Sequence, residues 1–208
     1  MGLARIPGPL LLITDRRQAR KPLEEVIAAA LTGGCRWVSV REKDLPDEER
    51  KQFVLTLLPL VRRFGGTLLV HGDVNASVYA DGVHLPAGGS VREARARLGE
   101  KACIGLSCHT LEDVQEAAGA DYVTLGPIAP TLSKPGYLPI LTFEQLAEAS
   151  TFGIPVIALG GVDETNVGEV RRGHAAGFAL MGSVMRSEDP EGLVRRVLER
   201  WSPPSMTP

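Results

Sequence analysis

Four places in this 208-residue chain combine residue types suited to chemistry on anions. Arg41-Glu42-Lys43 follows a short apolar run. Alternate residues of an extended segment face opposite sides, so Arg41 and Lys43 would share one side and Glu42 would take the other. Two cations so placed would face an anion; the plain alternative is a solvated strand end. Gly160-Gly161 and Gly182-Ser183 each follow a later apolar run. Lacking a Cβ, these glycines let backbone N–H groups approach a phosphate closely, and a short helix beginning there adds the positive end of its dipole. Taken alone, Gly160-Gly161 would be no more than a tight turn. Segment 126–136 places three prolines and two glycines in eleven residues, which reads as a long loop of the kind that covers a site. Within it Lys134, with Thr131 and Ser133, would supply an ammonium and two hydroxyls to a phosphate or a leaving group; an exposed surface lysine is the alternative. His71 and His109 also follow apolar runs, and an imidazole there is a candidate general acid or base near neutral pH. A histidine satisfied by backbone is the commoner case, and His84 and His174 are read that way.

The elements that must position these residues follow from the hydrophobic pattern. Eight short, nearly continuous apolar runs occur at Leu10–Ile13, Trp37–Val40, Thr67–Val70, Gly82–Leu85, Cys103–Leu106, Tyr122–Leu125, Val156–Leu159 and Gly177–Met181. Strands buried on both faces look like this. Helical stretches lie between them: Pro22–Thr32 with Gly33-Gly34 as its stop, Asp47–Phe64, Val91–Leu98, Leu111–Ala118, Thr142–Ala149, Asp163–Arg172 and Asp189–Trp201, with a turn or two at Asn75–Tyr79. Ser90 with Glu93, and Thr110 with Asp113, predict capping boxes. Eight strand–helix repeats predict an α/β fold, a single (β/α)8 TIM barrel over residues 1–208 with a Pro- and Ser-rich tail from Ser202. An open doubly wound sheet is the runner-up, but the first run is followed by Thr14-Asp15-Arg16-Arg17, without the Gly-rich turn such folds carry. In a barrel, function gathers at the C-terminal strand ends, which is where the candidates fall.

Composition narrows the classes. Hydrophobic residues make up 44% and charged residues 23%, a globular balance. A net charge of −2 argues against a nucleic-acid partner. No apolar run approaches a membrane span, and the start lacks the apolar core of a secretory signal, so a cytoplasmic protein is expected. Cys35, Cys103 and Cys108 are odd in number and lack Cys-x-x-Cys spacing, so neither a disulfide framework nor a zinc site is expected.

The segments LLITDR, VREK, ADGVHL, IGLSCHT, ADYVTLGPIAPTLSKPG, VIALGGV and GFALMGSV, in that order, resemble the thiamine phosphate synthase family, which includes a TenI-like branch of thiazole tautomerases. The resemblance runs from Leu10 to about Arg200 and implies a barrel that is commonly a homodimer. Synthases join a pyrimidine methyl diphosphate to a thiazole phosphate and release pyrophosphate. By resemblance Arg41, Lys43, Ser107 and Lys134 would contact the diphosphate. Thr131 and Ser133 would meet the thiazole phosphate side, and Gly161, Met181 and Gly182 would hold its phosphate through backbone. The chain also departs from the pattern. Ser39 stands where synthases carry Gln, and Gly72 and Gly89 align with the two aspartates that bind magnesium. That loss resembles the TenI-like branch, which shifts a double bond by proton transfer without metal. The catalytic histidine of that branch, however, aligns with Pro127. The expectation is therefore a thiazole phosphate-binding tautomerase with His71, then His109, as the base, and no cofactor. The alternatives are a synthase in which Asp73 helps to hold magnesium, or a non-catalytic thiazole phosphate- or thiamine phosphate-binding regulator.

Overall fold

A computed structural model of the chain describes residues 6–130 and 140–202. Eight parallel strands close into one barrel in sequence order: β1 Leu10–Ile13, β2 Trp37–Val40, β3 Thr67–His71, β4 Gly82–Leu85, β5 Cys103–Cys108, β6 Tyr122–Leu125, β7 Val156–Leu159 and β8 Gly177–Leu180. The helices are α1 Leu23–Thr32, α2 Asp47–Arg63, α3 Val91–Leu98, α4 Leu111–Glu116, α5 Phe143–Ala149, α6 Val167–Arg172, α7 Gly182–Met185 and α8 Pro190–Trp201. A single 3₁₀ turn, Ala76–Tyr79, takes the place of a helix between β3 and β4. The barrel expectation holds and the open sheet is excluded, because β1 pairs with both β2 and β8.

Strand alternation sorts the apolar residues into two separate clusters. Leu10, Leu12, Val38, Val40, Leu68 and Val70 face outward and pack beneath the helices. Leu11, Ile13, Trp37, Leu69, Tyr122, Ile157 and Ala179 face inward and fill the barrel. Trp37 and Tyr122 meet edge to face, with ring centroids 4.5 Å apart. Gly105 makes room for them: a Cβ there would fall on the Tyr122 ring. Toward the C-terminal ends the inward positions become small or polar: Ser39, His71, His84, Ser107 and Thr124. Filling the lower barrel with bulk and the upper barrel with small polar groups leaves a cavity at the strand ends.

At the opposite end, Asp81 and Asp121 each precede a strand and bind a neighbouring one. Asp81 accepts from the Leu68 amide at 2.9 Å, and Asp121 from the Ile104 amide at 2.7 Å. The two Ala-Asp steps of the sequence are thus strand-start clamps.

Several boundaries differ from expectation. β3 and β5 extend through His71 and Cys108, so His71 and Ser107 sit within strands, where the ladder holds them, and not in the loops beyond. β8 ends at Leu180, because Met181 leaves extended geometry to begin α7. α4 closes at Glu116. α6 begins only at Val167, because Asp163 spends its carboxylate on the amide and hydroxyl of Thr165. The Thr110 capping box forms in full, whereas at Ser90 only the bond from the Glu93 amide is made. Ile6 packs under the inner cluster, and the Pro9 carbonyl accepts from Phe178 at 2.7 Å, so the segment just before β1 is part of the barrel.

The inner packing makes a testable statement. Gly105→Ala should lower stability by about 1–3 kcal/mol through overpacking against Tyr122. Urea unfolding of the two proteins measures it.

Candidate active site at the C-terminal strand ends

A cavity of about 400 Å³ opens at the C-terminal ends of the strands. That is within the usual range for a small-molecule site. Its wall includes Arg41, Lys43, His71, Ser107, His109, Gly160, Gly161, Met181 and Gly182, so the fold brings together each of these sequence candidates. Thr131, Ser133 and Lys134 lie outside the described residues.

Arg41 and Lys43 are aimed by a buried carboxylate that sequence reading took to be merely pointing away. Glu42 is 2% exposed. It accepts from the Thr14 hydroxyl at 2.7 Å, from the Arg16 amide at 3.1 Å and from the Arg16 guanidinium at 3.1 Å. The Thr14 hydroxyl in turn accepts from the Arg41 amide at 2.9 Å. The loops after β1 and β2 are thereby locked together, with the two cations on the cavity side. A buried carboxylate is tolerable only with such partners. Its signal in the sequence was the Thr-Asp-Arg following β1, which reads as a loop until the neighbouring strand end is known.

His84, read as structural, supports a site residue. Its Nδ1 meets the Tyr122 hydroxyl at 2.8 Å, and its Nε2 meets the Ser107 hydroxyl at 3.0 Å. The Ser107 hydroxyl is thus fixed on the cavity wall from below. The His71 ring lies against His84 with centroids 4.9 Å apart. Burial pushes His71 down to about 2, helped by the nearby positive charges of Arg41 and Lys43, and burial alone pushes His84 down to about 3. Both are neutral imidazoles at physiological pH. His71 Nδ1 and Ser39 Oγ are buried without a hydrogen-bond partner among the described residues. His109 Nδ1 donates to the Gly126 carbonyl at 2.9 Å, which places a proton on Nδ1. Burial pushes the Cys108 thiol up to about 12, in keeping with an inert buried cysteine.

The glycines have two reasons to be glycines. Gly160 and Gly161 have φ of +88° and +71°, and a Cβ on either would strike the Pro127–Ala129 segment. Close approach of β7 to the loop after β6 therefore requires them whatever they bind. Among the described residues, however, no backbone acceptor meets the amides of Gly161, Gly182 or Ser183, and these residues line the cavity. Reading by motif missed Arg186, whose guanidinium also belongs to the wall.

Magnesium, which the resemblance attaches to synthases, finds poor support in these residues. No group of three His, Cys, Asp or Glu among the described residues could hold a metal ion, and residues 131–139 contain none of the four types. Asp73, the expected replacement ligand, is ion-paired to Arg50 and caps the Ala76 amide at 2.9 Å. Restoring Asp at position 89 would crowd its Cβ against Leu85 Cβ at 2.9 Å and the Pro86 carbonyl at 3.0 Å. The turn after β4 is too tight for the carboxylate it lacks.

The sequence model for thiamine monophosphate synthase matches residues 10–184. The chain belongs to the thiamine monophosphate synthase family. It is 39% identical to a putative thiamine-phosphate synthase of Geobacter sulfurreducens, over 97% of this chain and 98% of that one. It is 37% identical to the thiamine-phosphate synthase of Roseiflexus sp., over 90% of this chain and 83% of that one. The solved thiamine phosphate pyrophosphorylase of Pyrococcus furiosus superposes with a TM-score of 0.83 at 30% identity, covering 92% of this chain and 94% of its own. The chain is thus a thiamine-biosynthesis barrel of this family. No helix among the described residues is long and apolar enough to cross a membrane.

The neutral histidines predict how stability depends on pH. Between pH 7 and pH 5 the unfolded chain takes up protons at its ordinary histidine value of 6.5, while folded His71 and His84 refuse them. Stability should therefore fall as the pH drops through 6.5, by about 2 kcal/mol for each histidine at pH 5. Urea midpoints at pH 7 and pH 5 test this, and His71→Asn should remove about half of the loss.

Proposed function

We propose that this cavity couples a pyrimidine methyl diphosphate to a thiazole monophosphate, releasing pyrophosphate. The observation that supports the reading is the presence of two different anion-binding groups around one cavity. Side-chain cations, Arg41 and Lys43, stand at the end of β2, and main-chain amides stand at the ends of β7 and β8. A reaction on one monophosphate needs only one such group. The names of the relatives favour the same choice. This reading displaces the expected tautomerase from first place.

The residues divide the work by charge. As the carbon–oxygen bond to the diphosphate breaks, the leaving group keeps the electron pair and its negative charge grows, and the lone pair of the thiazole ring nitrogen forms the new bond to the methylene carbon. Arg41 and Lys43 stabilise that growth from a preorganised position, with Ser107 adding a hydroxyl and Lys134 an ammonium by resemblance. Gly161, Met181 and Gly182, with Gly160, hold the monophosphate through backbone and fix the second substrate in place. Thr131 and Ser133 are assigned to the same side. No step is routed through magnesium, since the residues present do not fit it.

One observation favours a second reading, the thiazole tautomerase. The carboxylates for a metal are missing, and a neutral imidazole, His71, stands at the floor beside the cations. Its protonation state suits a base, but burial, with the charges of Arg41 and Lys43 beside it, holds it down near 2 and makes it a weak one. His109, on the same wall, is the other candidate.

Supplying both substrates, with and without magnesium, and measuring thiamine phosphate tests the proposal. Turnover is expected, with Arg41→Ala lowering kcat/KM by about 100-fold. Aromatisation of the thiazole carboxylate tautomer, with no thiamine phosphate formed, would instead select the tautomerase. Tight binding without turnover of either would select a regulator that takes the small-molecule ligand and no more.

A further inference from the structure

Arg186 belongs to none of the motifs, yet it lines the cavity together with Gly182 and Ser183 at the end of β8. It follows α7, whose single turn carries its guanidinium back over Gly182. A Cβ built on Gly182 would come within 2.8 Å of the guanidinium Cζ and Nη2. A side chain at position 182 would push the guanidinium aside, so the glycine lets it lie against the backbone there. The guanidinium is also held from the side. Its Nη1 donates to Gln18 Oε1, and Gln18 Nε2 donates to Asp15 Oδ2 at 2.6 Å. Gln18 and Asp15 lie in the loop after β1, and that loop is itself fastened to α7 by the Arg20 amide on the Met185 carbonyl at 3.1 Å.

The kind of tether matters. Gln18 is neutral, and among the described residues no carboxylate pairs with Arg186. Ion pairs instead occupy many of the surface arginines, such as Arg172 with Glu169 and Arg195 with Glu191. An arginine fixed by an amide oxygen keeps its whole charge and its remaining N–H groups for another acceptor. Here they sit in the cavity wall beside the Gly182 amide. A phosphoryl oxygen that accepts from that amide would also meet a planar fork of donors suited to two oxygens at once.

We propose that Arg186, set by Gln18, is a specificity-determining residue that reads the phosphoryl group of the ligand at the β8 end and favours a phosphate monoester over its dephosphorylated alcohol. The claim rests on the guanidinium and its tether, not on the four-residue helix. It also rests on the phosphate-ligand reading of the cavity given above. Arg41 and Lys43, which leave a different strand, would then be reserved for the other anion.

Titration calorimetry with two ligands tests the proposal: thiazole monophosphate and the corresponding thiazole alcohol. Arg186→Gln should weaken monophosphate binding by about 10- to 100-fold and leave alcohol binding unchanged. Arg186→Lys should recover part of the loss, since a point charge replaces the fork. Gln18→Ala, which keeps the charge but frees it, should fall between wild type and Arg186→Gln, and it carries the test if the arginine variants do not fold. Equal loss of both ligands would show a structural arginine and overturn the proposal, as would a monophosphate affinity unchanged in Arg186→Gln while wild type binds. If wild-type protein binds neither ligand, the phosphate-ligand reading fails first and the role of Arg186 goes with it.

Discussion

The contact between Trp37 and Tyr122 is the constraint on which the site depends. Eight strands of four to six residues enclose a space that must be filled, and these two rings, 4.5 Å apart at their centroids, fill its lower part. Such close packing is possible only because Gly105 has no side chain. Above the rings the inward positions shrink to Ser39, Ser107 and Thr124, so the barrel is solid below and hollow at its C-terminal mouth. The Tyr122 hydroxyl then reaches upward to His84, and His84 to Ser107. The plug that stabilises the fold is also the foundation of the cavity wall.

The electrostatics of the mouth follow from the same arrangement. Arg41, Lys43 and Arg186 converge there, and the carboxylates nearest in sequence are turned to other tasks: Glu42 to Thr14 and Arg16, Asp73 to Arg50, Asp15 to Gln18. The result is a cavity whose walls favour anions and whose floor histidine, His71, stays neutral. Of the carboxylate pair a divalent ion would want, the member at position 89 is crowded out by the tight turn at Pro86–Gly89. Charge held by arginine, lysine and main-chain amides is the economy of this site.

Gly160 and Gly161 show how a motif can carry two meanings. Their positive φ angles and their contact with the Pro127–Ala129 segment would preserve them in a protein that bound nothing. Only their place beside Gly182, on a cavity that also holds cations, turns a structural glycine pair into a candidate phosphate cradle. Arg186 is the reverse case. Nothing around it in the sequence marks it, and it enters the site because one turn of helix folds it back over a glycine.

How much was legible in the residues alone differs between fold and site. The eight apolar runs, the glycine stops and the Thr110 box were sufficient for the barrel, because local periodicity and right-handed strand–helix repeats leave few alternatives. The rule that function lies at C-terminal strand ends then placed Arg41, His71, Ser107, His109 and the glycines on one wall. What stayed hidden were relations between segments distant in the chain. Glu42 beneath Thr14, Arg186 against Gln18 and Asp73 captured by Arg50 are contacts across 28, 168 and 23 positions. Sequence patterning reports what each segment does by itself: its period, its caps and its turns. Which carboxylate is consumed by which cation depends on neighbours that only closure of the barrel creates, and so the balance of charge in the mouth belongs to the tertiary structure.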